Sequence, residues 1–154
     1  MSAIFRGRFE AKIDSKGRLS LPASLKGSLD VDLKTLVFTN GQFKKSPCLD
    51  VYLPKEWMAL EKRIEKLSSL KPAVQSYRRF YISGGQFVDS DSNERFLVPK
   101  TLRQHAKVSN HVVLVGMGNK LEIWDGDIWN KVHGNLASDF DQTLAALAEL
   151  EEQD

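Results

Sequence analysis

Alternating apolar and polar positions mark out strands in this chain, and the alternation recurs. In Arg18-Leu19-Ser20-Leu21 the leucines face one way and Arg18 and Ser20 the other; Arg95-Phe96-Leu97-Val98 repeats this with Phe96 and Val98 inward. Each short strand runs into a proline, Pro22 or Pro99, which suits the first turn of a helix, where a missing N–H costs nothing. The second of these helices is predicted over 99–106, and Gly27 cuts the first one short. Residues 36–39, 49–52, 112–115 and 121–124 read as further strands, the last two joined by a hairpin connection at 116–120. Trp57, Leu60, Ile64 and Leu67 fall at helical spacing after Pro54 and predict an amphipathic helix over 54–69. Lys71-Pro72 breaks it, a second helix carries Val74, Tyr77 and Tyr81, and Gly84-Gly85 ends that one. A shorter helix is expected at 127–133, and Phe140, Leu144 and Leu147 predict a final helix that frays at its acidic end.

An aspartate precedes both short strands. Asp14-Ser15-Lys16-Gly17-Arg18 and Asp91-Ser92-Asn93-Glu94-Arg95 stand in the same place before strand and proline, and Leu49-Asp50-Val51-Tyr52 through Trp57 answers Leu121-Glu122-Ile123-Trp124 through Trp129. Nearly the whole chain is one small unit duplicated. The expected division is a first unit at 4–53, a helical connector at 54–83, a second unit at 84–127, and a C-terminal helix with an acidic tail at 128–154. The first unit is longer, and residues 40–47, with Gly, Lys and Pro, read as a surface turn that absorbs the difference. In the first turn the Asp14 carboxylate can accept amides two residues on, and Gly17 can take a positive φ.

Charge is distributed unevenly. The chain's net charge is +2, but residues 1–45 carry +5 and the segment after Gly134 carries −6. A basic head and an acidic tail point to an anionic partner at one end; the plainer alternative is a solvated surface with a solubilising tail. A single Cys48 excludes an intramolecular disulfide. No apolar run approaches the roughly 20 residues that span a bilayer, and no secretory signal is evident, so no membrane partner and a cytoplasmic setting are expected.

Catalytic signatures are missing. There is no Gly-x-Ser-x-Gly elbow and no phosphate loop, and Gly116-x-Gly118 lacks the third glycine and following helix of a dinucleotide site. His105, His111 and His133 show no metal-ligand spacing with one another or with Cys48, which reads as a small buried apolar residue. Asp125 and Asp127 are expected to cap the helix that follows them. No enzyme activity, cofactor or metal is expected.

The Asp-x-x-Gly-Arg-x-x-x-Pro pattern of 14–22, its relative at 91–99, the opening Phe5-Arg6-Gly7-Arg8 and the later Glu122-Ile123-Trp124-Asp125 together resemble the MraZ family, bacterial regulators built from two AbrB-like (SpoVT-AbrB) units. The resemblance spans about residues 4–133. It implies an α+β fold in which duplicated βαβ-type halves form a swapped-hairpin, double-psi-like β-barrel with flanking helices. It also implies a homo-oligomeric ring, and binding to double-stranded DNA at short direct repeats in the promoter of the division and cell wall gene cluster, with a nucleoid-associated location. The family's DNA-contacting turn maps onto Asp14, Lys16, Gly17 and Arg18.

The chemistry of these residues fits such a role. Arginine reads guanine O6 and N7 bidentately, at roughly 1–3 kcal/mol per good pair. Lys16 would act as a point charge on phosphate, adding affinity and salt dependence without sequence choice. One Lys and one Arg read too few bases to be selective, and several copies engaging several repeats would supply what one turn lacks. Arg6 and Arg8 are candidate phosphate contacts, with cross-strand pairing to Glu10 as the alternative. Arg95, with Asp91 structuring its turn, is the second-copy counterpart of Arg18. Glu94 stands where the family commonly has glycine, so the second turn is expected to form less readily and to set a phosphate-repelling carboxylate beside Arg95. The second copy is therefore read as mainly structural. Lys44 and Lys45 read as solvated, and Trp57, Trp124 and Trp129 as core or subunit-contact aromatics. The competing reading is an oligomeric protein-interaction scaffold with incidental DNA affinity.

Overall fold

The structure, a computed structural model, describes residues 5–29 and 31–153. Residue 4, where the first expected unit begins, and Asp30 and Asp154, counted in the charge balance, lie outside the described residues. In chain order the elements are β1 (Arg8–Lys12), β2 (Arg18–Ser20), α1 (Ala23–Gly27), β3 (Thr35–Phe43), β4 (Ser46–Tyr52), α2 (Pro54–Glu65), α3 (Pro72–Tyr77) and a π-helical turn (Arg78–Ile82). They continue with β5 (Gln86–Asp89), β6 (Arg95–Leu97), α4 (Lys100–Ala106), β7 (His111–Gly116), β8 (Leu121–Asp125), α5 (Gly126–Ser138) and α6 (Phe140–Glu152).

The halves exchange strands. A six-stranded antiparallel sheet runs β1-β7-β8-β4-β3-β5, and β2 pairs with β6 in a separate two-stranded ribbon. Thus β1 of the first half pairs with β7 of the second, β5 of the second with β3 of the first, and β4 meets β8 where the halves join. The mixed α and β architecture and the swapped strands match the expected fold class. The sheet and the ribbon are distinct hydrogen-bonded units, so no continuous ladder closes the barrel. What closes it is apolar packing: Leu19, Leu21, Phe96 and Val98 from the ribbon join Leu36, Phe38, Leu49, Val51, Leu114 and Ile123 from the sheet in one buried core.

The sheet's other face is also covered. Trp57 and Leu60 of α2 pack on Val37 and Tyr52, while Val132 of α5 packs on Cys48, Val113, Val115 and Trp124. Burial on both faces explains why β3, β4, β7 and β8 read as near-continuous apolar runs. Trp57 and Trp124 are 1 % exposed and belong to these clusters, and the half-buried Trp129 stacks on Trp124.

Several boundaries differ from expectation. Residues 40–47 are not a loop: β3 and β4 extend through them, and only Lys44 and Lys45 turn, with φ of 47° and 70°. Two consecutive positive φ values make the tight hairpin turn that matches strand twist, which lets the strands run on. Helix α2 ends at Glu65, short of 69, because Ser68 and Ser69 precede Lys71-Pro72 and polar turns replace the last helical turn. The second connector helix widens into the π-helical turn, whose carbonyls at Phe80 and Tyr81 accept from Asn40 Nδ2 and Thr39 Oγ1 of β3. Helix α5 outlasts the expected 127–133, and α6 stays helical to Glu152. Strand β1, which the sequence reading did not assign, alternates strictly with Phe9 and Ala11 on the inner side, whereas β5 carries weak alternation and is fixed by its partner β3.

Candidate nucleic-acid interface

The two Asp-to-Arg turns have one geometry. In the first, Asp14 Oδ1 accepts from the backbone N–H of Lys16 and of Arg18, both at 2.9 Å, and Oδ2 accepts from Arg18 Nε at 2.8 Å. In the second, Asp91 Oδ1 accepts from Asn93 N–H at 2.8 Å and Arg95 N–H at 2.9 Å, and Oδ2 from Arg95 Nε at 3.1 Å. Backbone bonds close each turn identically, Gly17 N–H to Asp14 C=O and Glu94 N–H to Asp91 C=O. The expectation that Glu94 would hinder the second turn is corrected: Glu94 sits at φ 59° beside the φ 90° of Gly17, because the aspartate's three hydrogen bonds over-determine the turn. Nor does its carboxylate lie against Arg95 as expected. It reaches across to α1, where Glu94 Oε2 lies 3.8 Å from Lys26 Nζ.

Holding the guanidinium by Nε has a chemical consequence. Among the described residues neither terminal nitrogen of Arg18 is engaged in a hydrogen bond, which leaves the end-on pair able to span two acceptors. In the ribbon register Arg18 lies opposite Leu97 and Arg95 opposite Ser20, so all four share the outward face, and Leu97 is 55 % exposed there. Arg6 and Arg8 are elsewhere. Arg8 begins β1, six residues from Asp14, roughly 20 Å of extended strand. Its guanidinium lies 5.9 Å from the Trp129 ring centroid, and Glu10 meets His111 at 3.3 Å; among the described residues the alternative pairing of Arg6 or Arg8 with Glu10 is not formed.

Backbone N–H of Arg18 is the main reason the Asp14 carboxyl is held down at about 2, helped by the Arg18 side chain and the Lys16 amide; Asp91 is lowered likewise, chiefly by Arg95 N–H. A carboxyl whose folded value lies below its unfolded value stabilises the fold above the unfolded value and loses that contribution as pH falls through the folded one. The turn is therefore intact at neutral pH and releases between about pH 4 and pH 2. Carbon-detected NMR titration of the Asp14 carboxyl is expected to give a midpoint of about 2. Arg18→Ala keeps the backbone donor and should raise that midpoint only part of the way to an ordinary aspartate; a midpoint near 4 in the wild type would refute the geometry.

The sequence reading missed two features. Arg103 of α4 packs on Gly17: a Cβ at that glycine would lie 2.4 Å from Arg103 Cζ. The repeat itself carries the signal, since Arg103 is the counterpart of Lys26. The second feature is a buried polar cluster between α2 and α5. Asp50 and Glu122, repeat counterparts, face each other across β4 and β8. Lys120 Nζ lies 3.0 Å from Asp50 Oδ2 and 3.9 Å from Glu122 Oε2, Tyr81 OH donates to Asp50, and Trp124 Nε1 donates to Glu122 at 3.0 Å. Burial raises Glu122; for Lys120 burial is the largest single influence and acts downward, but the charge and hydrogen bond of Asp50 together with Tyr52 and Glu122 outweigh it and leave the ammonium raised. Cys48, 0 % exposed, is not in the purely apolar setting expected of it: its thiol lies 3.8 Å from Asp50 Oδ1, and burial pushes it up. Among the described residues, Cys48, Asp50 and Glu122 are the group whose ligand atoms lie within 4.8 Å of one another, and Lys120 supplies the positive charge that this group calls for. Asp125 caps α5, accepting from Ile128 N–H at 3.1 Å. No helix among the described residues is long and apolar enough to cross a membrane.

Comparison with known proteins agrees with the duplication. The family model described as "MraZ protein, putative antitoxin-like" matches twice, over residues 4–80 and 81–150. Relatives named transcriptional regulator MraZ include one from Idiomarina loihiensis, 36% identical over 138 residues, which is 90% of this chain and 88% of the relative. One from Heliobacterium modesticaldum is 33% identical over 148 residues, 96% and 99% of the two chains. One from Thermoanaerobacter pseudethanolicus is 32% identical over 144 residues, 94% and 96%. Two matches in tandem, two superposable Asp-to-Arg turns and relatives aligned nearly end to end lead to one conclusion: the chain belongs to the MraZ family.

Proposed function

We propose that this protein is a sequence-specific DNA-binding transcriptional regulator that acts as an oligomeric ring on short direct repeats in the promoter of the division and cell wall gene cluster. Its units at 4–53 and 84–127 present the turns, and it works in the cytoplasm, associated with the nucleoid. The observation that carries the reading is the guanidinium of Arg18, pinned at Nε by Asp14 on a partly exposed turn, its two terminal nitrogens unengaged among the described residues. Lys16 adds a phosphate contact beside it. Gly17 makes the turn, and Asp14 and Asp91 hold the two turns in shape. Arg95 has the same geometry, but Asn93 stands where the first turn carries Lys16, so the second turn lacks the accompanying cation and Arg18 is the principal reader. Arg8, at the far end of β1, and Arg6 before it are too far from the turn to serve the same groove contact, and phosphate contact by them would require a separate stretch of the duplex.

Surface chemistry supports assembly of several copies. The segment from α2 to the π-helical turn exposes Met58, Leu67, Leu70 and Phe80 among Lys62, Arg63, Lys66, Lys71, Arg78 and Arg79. Helix α6 exposes Phe140, Leu144, Leu147 and Leu150 among Asp141, Glu149, Glu151 and Glu152. Two different apolar patches of opposite charge on one chain suit a head-to-tail contact, which closes into a ring when the rotation permits. The α6 stripe also favours the scaffold reading, in which that face takes a protein partner and the basic turn is incidental.

Fluorescence anisotropy on duplexes from upstream of the protein's own gene, carrying one, two or more copies of the repeat, separates these. Affinity is expected to climb steeply with repeat number at native spacing and to fall steeply with salt. Equal affinity per site for one repeat and for several would overturn the ring; weak binding that is blind to sequence would favour the scaffold.

A further inference from the structure

The two turn-to-helix junctions are built on one plan and finished differently. Each turn of one half meets the helix that follows the other half's short strand: Gly17 meets Arg103 of α4, and Glu94 meets Lys26 of α1. At the second junction the cation is answered by the Glu94 carboxylate at 3.8 Å. At the first junction there is no side chain to answer it. Gly17 leaves room for the guanidinium to lie against the backbone, a Cβ there falling 2.4 Å from Cζ and 2.8 Å from Nη1. Arg103 is fixed at its inner end, where Nε donates to Val98 C=O at 2.9 Å, and Val98 N–H donates in turn to Gly17 C=O at 2.9 Å. Among the described residues the terminal nitrogens of Arg103 have no hydrogen-bond acceptor and no ion-pair partner.

We infer that Arg103 is a DNA phosphate-binding residue, delivered by the second half to the turn of the first, and that Glu94 is an internal stand-in for phosphate that occupies the equivalent place over Lys26. The inference rests on the DNA-binding reading above. A guanidinium held by Nε and half-buried against a turn keeps its fork oriented at little further entropic cost on binding, which suits a tetrahedral oxyanion better than a free lysine does. Lys16, Arg18 and Arg103 then surround one turn with three cations, the last two held by hydrogen bonds. The other turn has Lys26 already paired.

Salt dependence distinguishes a phosphate contact from a structural prop, because each phosphate neutralised adds about 0.9 to the slope of log affinity against log salt on duplex DNA. The test measures that slope on the repeat-bearing duplex for the wild type, Arg103→Ala, Arg103→Gln, Lys26→Ala and Glu94→Gln, with Arg18→Ala as reference. Arg103→Gln keeps an amide able to reach Val98 C=O and guards against a collapsed turn. Both Arg103 variants are expected to lose about 5- to 10-fold in affinity and to lower the slope by about one per engaged subunit. Lys26→Ala is expected to change neither quantity, and Glu94→Gln to raise the slope by freeing Lys26. An unchanged slope in Arg103→Gln, with or without reduced affinity, overturns the inference, since the residue then only shapes the turn. If instead wild type and Arg18→Ala bind repeat and scrambled duplexes alike, the DNA-binding reading itself falls; selective wild-type binding with an unchanged Arg103→Gln slope removes this inference alone.

Discussion

Arg18→Ala is expected to abolish the preference for repeat DNA over scrambled DNA while leaving the fold intact. Each bidentate arginine–guanine contact contributes roughly 1–3 kcal/mol, and a duplex engaged by two subunits loses that twice, a fall of about 30-fold or more. The fold survives because the Asp14 carboxylate keeps its two backbone donors, Lys16 and Arg18 N–H, when the side chain is gone. Lys16→Ala makes the informative contrast: removing a cation from phosphate lowers affinity for every sequence alike and reduces the salt slope by about one. Arg95→Ala should cost less than Arg18→Ala, since Asn93 stands where the first turn carries Lys16. Anisotropy titrations on matched repeat and scrambled duplexes decide the matter. Equal losses from Arg18→Ala and Arg95→Ala would show that both turns read bases, and no loss from either would remove the turns from the interface.

Lys120→Met is expected to destabilise the fold strongly. It removes the cation that lies 3.0 Å from Asp50 and 3.9 Å from Glu122, leaving two buried carboxylates opposed across adjacent strands. Breaking a buried ionic arrangement by deleting one partner costs about 3–5 kcal/mol. The loss depends on pH in a definite direction. Glu122 is already raised by burial, and without Lys120 it rises further, so the folded variant binds more protons than the unfolded chain. Stability of the variant therefore falls as pH increases and is partly regained on acidification toward pH 5. Urea unfolding of wild type and variant at pH 7 and pH 5 measures this. A difference below about 1 kcal/mol at both pH values would mean that water screens the cluster.

Much of this fold is legible in the sequence because its information is local. The inward set Leu19, Leu21, Phe96 and Val98 follows from strict alternation, and all four are buried. Asp125 as a helix cap and Asp14 as a turn former follow from side-chain geometry within a few residues. What escaped the sequence depends on contacts between distant positions. The left-handed conformation of Glu94 looks unfavourable in isolation, and only the three hydrogen bonds of Asp91 make it acceptable. Strand β1 alternates strictly and was legible, but its pairing with β7, like that of β5 with β3, joins opposite halves at separations that pattern cannot bridge. Asp50 and Glu122 read as ordinary polar alternation, yet α2 and α5 cover the sheet face opposite the ribbon and turn those positions into interior ones; their matching places in the repeat were the available clue. Arg103 likewise meets Gly17 only because the halves are swapped.

The unequal finish of the two junctions has one more consequence. Two identical chains assembled about a true dyad must present the same surface at both ends, and such a molecule fits an inverted site that reads alike from either strand. Here the dyad is only approximate. Fusion into a single chain let glycine settle at position 17 and glutamate at 94, and lysine at 120 opposite cysteine at 48 in the repeat, so the molecule has a front and a back. A body with one active end has polarity. On the proposed reading, such a subunit laid along a duplex would distinguish upstream from downstream, and inverting one site relative to its neighbours would point that subunit's active end away from the DNA.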